Sequence, residues 1–270
     1  MPFKTINSKS LFYTDTHTQC TPATRITTLL LHGLGSSSSF YSTITPALAP
    51  QTRCIALDTP GSGLSQLGPS PSREQSIASI ADDAIALLDA LAVEVDVVVV
   101  GHSMGGIVAS TVAARCPGRV RGVVLLGPVQ PAEGMAAVFG KRVEVVKAGG
   151  LEPLADTIPT GATGRRSTPL QHAFIRALIL GTSPAGYISL CNAIATATQP
   201  EYASIDVPLL ILAGEDDKTA SLEGSEGIAA AYGTEGGKKS VVVLEGVGHW
   251  HCVEAGEEVG SRIGDFVRGL

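Results

Sequence analysis

One stretch of the 270-residue chain carries chemistry on its face. Val97-Val98-Val99-Val100-Gly101-His102-Ser103-Met104-Gly105-Gly106 runs four β-branched apolar residues into Gly-x-Ser-x-Gly, and Ile107 to Ala114 follow with the character of a helix. The valines predict a strand buried on both faces. A serine on a sharp strand-to-helix turn sits in strained backbone where bulky neighbours would collide. Gly101 and Gly105 leave room for the turn, and Gly106 lets strand and helix approach closely. The hydroxyl of Ser103 is thereby lifted clear of the sheet, at the positive end of a helix. A hydroxyl is a poor nucleophile at neutral pH and needs a base within hydrogen-bond reach. Histidine suits that role because its pKa lies near working pH, and a carboxylate must hold the ring in the right tautomer and stabilise the imidazolium. Two later segments, each after a predicted strand, supply these types: Gly214-Glu215-Asp216-Asp217-Lys218 and Gly246-Val247-Gly248-His249-Trp250-His251. Residue types alone leave Asp216 and Asp217 open as the acid, and His249 and His251 as the base. His102 is expected to point away from Ser103 across the turn and to be packed or hydrogen-bonded. His17 and His172 have no motif context.

The elements that must position these residues alternate. Residues 3–15 read as an antiparallel edge hairpin, and Thr27-Thr28-Leu29-Leu30-Leu31 as a buried strand ending in the small-residue loop His32-Gly33-Leu34-Gly35-Ser36-Ser37. Arg53 to Leu57 is the next strand. A helix over 72–91, capped by Ser76 or Ser72, presents Ile77, Ile80, Ala84, Leu87, Leu88 and Leu91 on one face. Strands over 120–126, 207–213 and 240–244 follow, with helices over 222–232 and 253–267. Repeated strands with intervening helices predict an α/β fold, a mainly parallel sheet with helices on both faces. In such sheets ligands sit beyond the carboxyl ends of the strands, so Ser103, the acid and the histidine can converge on one edge. Between 129 and 200 the alternation stops. Helices are predicted over 135–147, 169–180 and 185–198, with 159–167 as a mobile loop.

His32-Gly33-Leu34-Gly35-Ser36-Ser37, Asp58-Thr59-Pro60-Gly61-Ser62-Gly63-Leu64-Ser65, Gly101 to Gly106, Gly214 to Asp217 and Gly246 to Trp250 resemble, in this order and over nearly the whole chain, the α/β-hydrolase family. The resemblance implies a Ser–Asp–His order. It selects Asp217, which fits the family's Gly-x-x-Asp, and His249, which follows Gly248. Ser221 departs from the proline that many relatives carry four residues after the acid. The resemblance also implies an oxyanion hole made by the backbone N–H groups of Leu34 and Met104, with His32 supporting the first of these loops and Asp58 structural. Residues 129–200 then stand as a helical cap inserted between core segments 1–128 and 201–270. Arg142 to Gly150, Pro184 to Tyr187, Cys191 to Ala195 and Arg119 to Leu126 are similar to 3-oxoadipate enol-lactonases. The likeness implies a small carboxylic ester or lactone as substrate, cleaved through an acyl-enzyme, and is equally compatible with short-chain carboxylesterase activity. A small-ligand receptor with slow turnover, and a cofactor-free C–C hydrolase or perhydrolase on the same triad, are alternatives. A serine at position 103, where an aspartate would be needed, argues against epoxide or dehalogenase chemistry.

Composition narrows the partners. A net charge of −6 and 4% aromatic residues argue against nucleic acid or an anionic membrane surface, and no apolar run reaches membrane-spanning length. Five scattered cysteines form no disulfide framework, and the first residues lack the apolar core of a signal peptide, so a cytoplasmic location is expected. Gly-x-Gly-x-x-Gly and P-loop motifs are absent, and His249-x-His251 without a third ligand is weak for zinc. No cofactor and no metal are expected.

Overall fold

The computed structural model describes residues 2–16, 26–68 and 74–270. His17, Cys20 and Ser72 lie outside the described residues. Strands β1 (Phe3–Ile6), β2 (Lys9–Asp15), β3 (Thr27–Leu31), β4 (Arg53–Leu57), β5 (Val97–His102), β6 (Val120–Leu126), β7 (Leu209–Gly214) and β8 (Lys239–Leu244) form one sheet in the order β1-β2-β4-β3-β5-β6-β7-β8. β1 and β2 form the expected edge hairpin, and β2 also runs antiparallel to β4. From β4 to β8 every pairing is parallel. Every residue of β3, β5 and β7 is buried. Successive side chains point to opposite faces, so both faces are covered.

Helices α1 (Thr45–Leu48), α2 (Ile77–Ala90) and α3 (Met104–Arg115) precede the long insertion between β6 and β7. The insertion carries α4 (Met135–Gly149), α5 (Glu152–Gly161), α6 (Pro169–Leu180) and α7 (Pro184–Ala195). Helices α8 (Leu222–Ala231), α9 (His251–Glu254) and α10 (Gly256–Arg268) complete the chain. Of the two candidate caps for α2, Ser76 accepts from the Ser79 amide in a reciprocal capping box. Among the described residues no single helix is long and apolar enough to cross a membrane.

Two expectations fail. The first turns of the 159–167 segment are helical: Pro159, Thr160 and Gly161 end α5. Pro153 occupies the first turn, where no N–H is needed, and Pro159 falls close enough to the end to remove only a late bond. Thr163 Oγ1 then donates to the Pro159 carbonyl at 2.7 Å. The C-terminal helix is split at Ala255 into α9 and α10. The Cys252 carbonyl there is taken by Thr43 Oγ1 at 2.6 Å.

The chain places β4 on one side of β3 and then, through α2, β5 on the other. That reversal is the topological switch point at which open α/β sheets form their crevice. Leu34 lies beyond β3 and Ser103 directly follows β5, on neighbouring strands at this crevice. The backbones meet without side chains between them: a Cβ on Gly105 would collide with the Leu31 carbonyl. Gly105→Ala is accordingly expected to destabilise the chain by about 1–3 kcal/mol through overpacking. Gly140 is exposed in the middle of α4, and a Cβ added there would meet nothing within 4 Å. As alanine it is expected to gain about 0.5–1 kcal/mol. Urea midpoints of the two variants check both signs.

Candidate active site

Ser103 stands between β5 and α3 at φ 54°, ψ −118°, a region that residues with a Cβ rarely enter. Its amide donates to the Leu126 carbonyl at 3.0 Å, and its own carbonyl accepts from Gly106 at 2.9 Å. The sheet and the first turn of α3 therefore hold the strained residue from both sides. Met104 supplies the first amide of α3, which has no intrahelical acceptor.

Asp217 and His249 are brought together from the loops after β7 and β8. His249 Nδ1 lies 2.8 Å from Asp217 Oδ2, and both residues are buried. The other carboxylate oxygen accepts from the amides of Thr219 (2.7 Å) and Ala220 (2.9 Å). Burial opposes the charge on Asp217, but the facing His249 and the Ala220 amide outweigh it and hold the carboxyl below its usual range. Asp216 is engaged elsewhere, on the Arg165 guanidinium at 2.6 Å and the Arg165 amide at 2.8 Å.

The chain turns into α9 at His251. The two buried histidines around His249 converge on its backbone. His102 Nε2 donates to the His249 carbonyl at 2.8 Å, and His251 Nδ1 donates to the same oxygen at 2.9 Å. The His102 ring stacks on Phe40, with centroids 4.3 Å apart. Burial pushes the His251 pKa down to about 4 and that of His102 well below its ordinary value, so both are neutral.

His32 fixes a neighbouring peptide. Its Nε2 accepts the Thr59 amide at 3.0 Å, which leaves Nδ1 protonated to donate to the Gly33 carbonyl at 2.8 Å. In a trans peptide the N–H points opposite the C=O, so this bond sets the direction of the Leu34 N–H. Asp58 accepts the amides of Ser38 (2.6 Å) and Leu64 (2.9 Å) and stands in the frame of that loop. His172 meets Ser167 and Thr163 hydroxyls.

Ser103, His249 and Leu34 line one cavity of ≈ 60 Å³, roofed by residues from α4 to α7 that include Phe139, Ile158, Ile179 and Tyr187. Among the described residues no hydrogen bond joins the Ser103 hydroxyl to His249; contacts of this kind commonly tighten only around substrate. Among the described residues no Asp or Glu lines the cavity, and its one cation is Arg142 of α4, whose guanidinium lies 5.3 Å over the Phe139 ring. Of these roof residues, Tyr187 lay in a segment that carries the lactonase resemblance, while Phe139, Ile158 and Ile179 had no signal, since separate helices contribute them. Among the described residues no three His, Cys, Asp or Glu side chains are grouped as a metal ion requires.

Residues 28–261 match the alpha/beta hydrolase family. The chain belongs to that family. It is 30% identical over 227 residues to a putative carbamate hydrolase RutD of Azorhizobium caulinodans, covering 80% of this chain and 81% of that one. A shorter match, 34% identical over 98 residues, reaches the cis-3-alkyl-4-alkyloxetan-2-one decarboxylase of Shewanella oneidensis and spans 36% of this chain and 31% of that protein. The crystal structure of the enol-lactonase from Burkholderia xenovorans LB400 superposes with a TM-score of 0.88 at 25% identity, covering 99% of this chain and 100% of that one. The α/β-hydrolase resemblance seen in the sequence therefore holds, and the lactonase- and esterase-like relatives with it.

The neutral histidines give a pH dependence. An unfolded histidine binds its proton near pH 6.5, whereas folded His251 does so only near 4. The unfolded state then takes up protons first, and stability falls as pH drops below about 6.5, by up to about 1.4 kcal/mol per pH unit for each such group. Urea unfolding at successive pH values is expected to show a shallower fall in His251→Asn, which keeps an N–H donor but does not titrate. Equal slopes in the two proteins would contradict this.

Proposed function

We propose that this α/β hydrolase cleaves a small carboxylic ester or lactone with Ser103 as nucleophile, His249 as base and Asp217 as the acid that orients it. The observation that carries the reading is the 2.8 Å Asp217–His249 contact on a cavity that Ser103 shares. His249 takes the Ser103 proton at its Nε2 while its Nδ1–H stays on Asp217, and Ser103 Oγ attacks the carbonyl carbon. The oxyanion is received by the N–H groups of Leu34, aimed by His32, and Met104; one such donor typically contributes on the order of 3 kcal/mol. His249 returns its proton to the leaving alkoxide, which in a lactone stays tethered to the acyl group. Water deprotonated by His249 then attacks the acyl-enzyme, the acyl–Oγ bond breaks, and His249 returns the proton to Ser103 Oγ as the acid leaves. Residues 129–200 act as a cap over the site. The small cavity suits a short acyl group, well below the roughly 300–1,000 Å³ that holds a drug-sized ligand.

Ser103→Ala is expected to lower turnover of a short p-nitrophenyl ester by several orders of magnitude, with the melting temperature little changed. Asp217→Ala is expected to lose far more activity than Asp216→Ala. Undiminished turnover in Ser103→Ala would refute the assignment.

Arg142 supports a narrower reading, that the acyl group carries a carboxylate. A guanidinium in a cavity with no lining carboxylate among the described residues is well matched by a bidentate anion. Burial pushes the Tyr187 phenol up to about 12 against the pull of Arg142, so that cation bears directly on the roof of the site. In paired assays, wild type is expected to favour the p-nitrophenyl monoester of succinate over that of butyrate. Arg142→Gln is expected to cut that ratio by about tenfold or more, the loss of one charge-assisted bond. An unchanged ratio would remove the carboxylate from the reading.

A further inference from the structure

Glu254 lies five residues beyond His249, half-buried at the end of α9. Its Oε1 accepts the Trp250 amide at 2.9 Å, and its Oε2 accepts the Gly248 amide at 2.9 Å and the Gly164 amide at 2.7 Å. One carboxylate thus holds the peptide groups on both sides of His249 together with the connection between α5 and α6. The same connection is reached by His249 itself, whose amide donates to the Ala162 carbonyl at 2.8 Å. The two backbones touch: a Cβ on Gly248 would collide with Gly164 N and Thr163, and one on Gly164 with the Gly246 carbonyl. Nothing in the proton transfers described above uses Glu254.

We propose that Glu254 is a positioning residue that ties the α5–α6 connection to the His249 loop, so that the roof of the cavity and the aim of the His249 imidazole are set together. This rests on His249 being the base. The clamp needs the ionised carboxylate, since three N–H donors require acceptors on both oxygens, and protonation turns one oxygen into an O–H donor facing an N–H. Asp217 acts on it from the core side, the loop it clamps carries His249 and His251, and the α5–α6 connection carries Arg165 and Arg166, with His172 on α6 and Arg166 bonded to the Glu245 carbonyl. Arg165 is held by Asp216 and Glu215, and His172 by Thr163 and Ser167, so neither neutralises Glu254. Burial, assisted by Asp217, raises the Glu254 pKa above the ordinary glutamate value although its three amides oppose the rise. The clamp therefore loosens as pH falls through that raised value.

The experiment is the pH profile of wild type and Glu254→Gln with a short p-nitrophenyl ester, beside their thermal melts. Gln keeps the shape but offers one acceptor oxygen. The variant is expected to lose about ten- to hundredfold in kcat, the scale of a misaimed reacting group, with a smaller change in KM. The acid limb of log kcat/KM is expected to steepen to a two-proton dependence in wild type and to stay one-proton in the variant. Wild-type kcat in Glu254→Gln, or a wild-type limb that remains one-proton throughout, would overturn the proposal. If the variant fails to fold, the wild-type limb decides alone. A wild-type chain that neither turns over esters nor reacts with a phosphonate would instead remove the hydrolase reading beneath it, a result distinct from an active enzyme indifferent to Glu254.

Discussion

Ser103 holds a backbone conformation that a side chain resists because β3, β5 and α3 touch through bare peptide groups. Gly105 lies against the Leu31 carbonyl and Gly101 against Gly105, and the sheet hydrogen bond to Leu126 leaves the turn no softer alternative. Everything else in the site is arranged around that fixed point. The switch in strand order puts the loop after β3 beside it, and the loops after β7 and β8 bring Asp217 and His249 to the same edge. Strain of on the order of 1–3 kcal/mol at one residue is tolerable in a sheet whose central strands are wholly buried.

Three imidazoles crowd this edge, with His102 and His249 centroids 4.9 Å apart and His249 and His251 6.4 Å apart. Were more than one charged, their repulsion would oppose formation of the imidazolium on which the proposed chemistry depends. Burial keeps His102 and His251 neutral and confines them to donating N–H groups to the His249 carbonyl. Of the three, His249 is the one whose ring meets a carboxylate directly. Its two neighbours hold its backbone in place through that shared carbonyl.

The continuous apolar runs 97–100 and 209–213 made the central strands legible, because a strand covered on both faces has no polar phase to blur it. The segments ending in Ser103, Asp217 and His249 were legible as motifs. Which of Asp216 and Asp217 faces the histidine was not legible from spacing; it depends on Arg165, which reaches Asp216 from the α5–α6 connection. Helix α5 was hidden by two prolines whose harm depends on where the helix starts and stops. Glu254 gave no signal, since two of the amides it accepts lie in its own segment but the third, from Gly164, reaches it only in the folded chain. Arg142 was visible as part of a resemblance, but its place among apolar cavity walls follows from the packing of α4 to α7.

In the proposed reaction His249 activates the Ser103 hydroxyl, and peptide mass spectrometry after exposure to a fluorophosphonate reads that activation. A single adduct on the peptide bearing Ser103, formed far more slowly in His249→Ala, is the expected result. An adduct on another residue, or labelling of Ser103 at an undiminished rate without the imidazole, would contradict it.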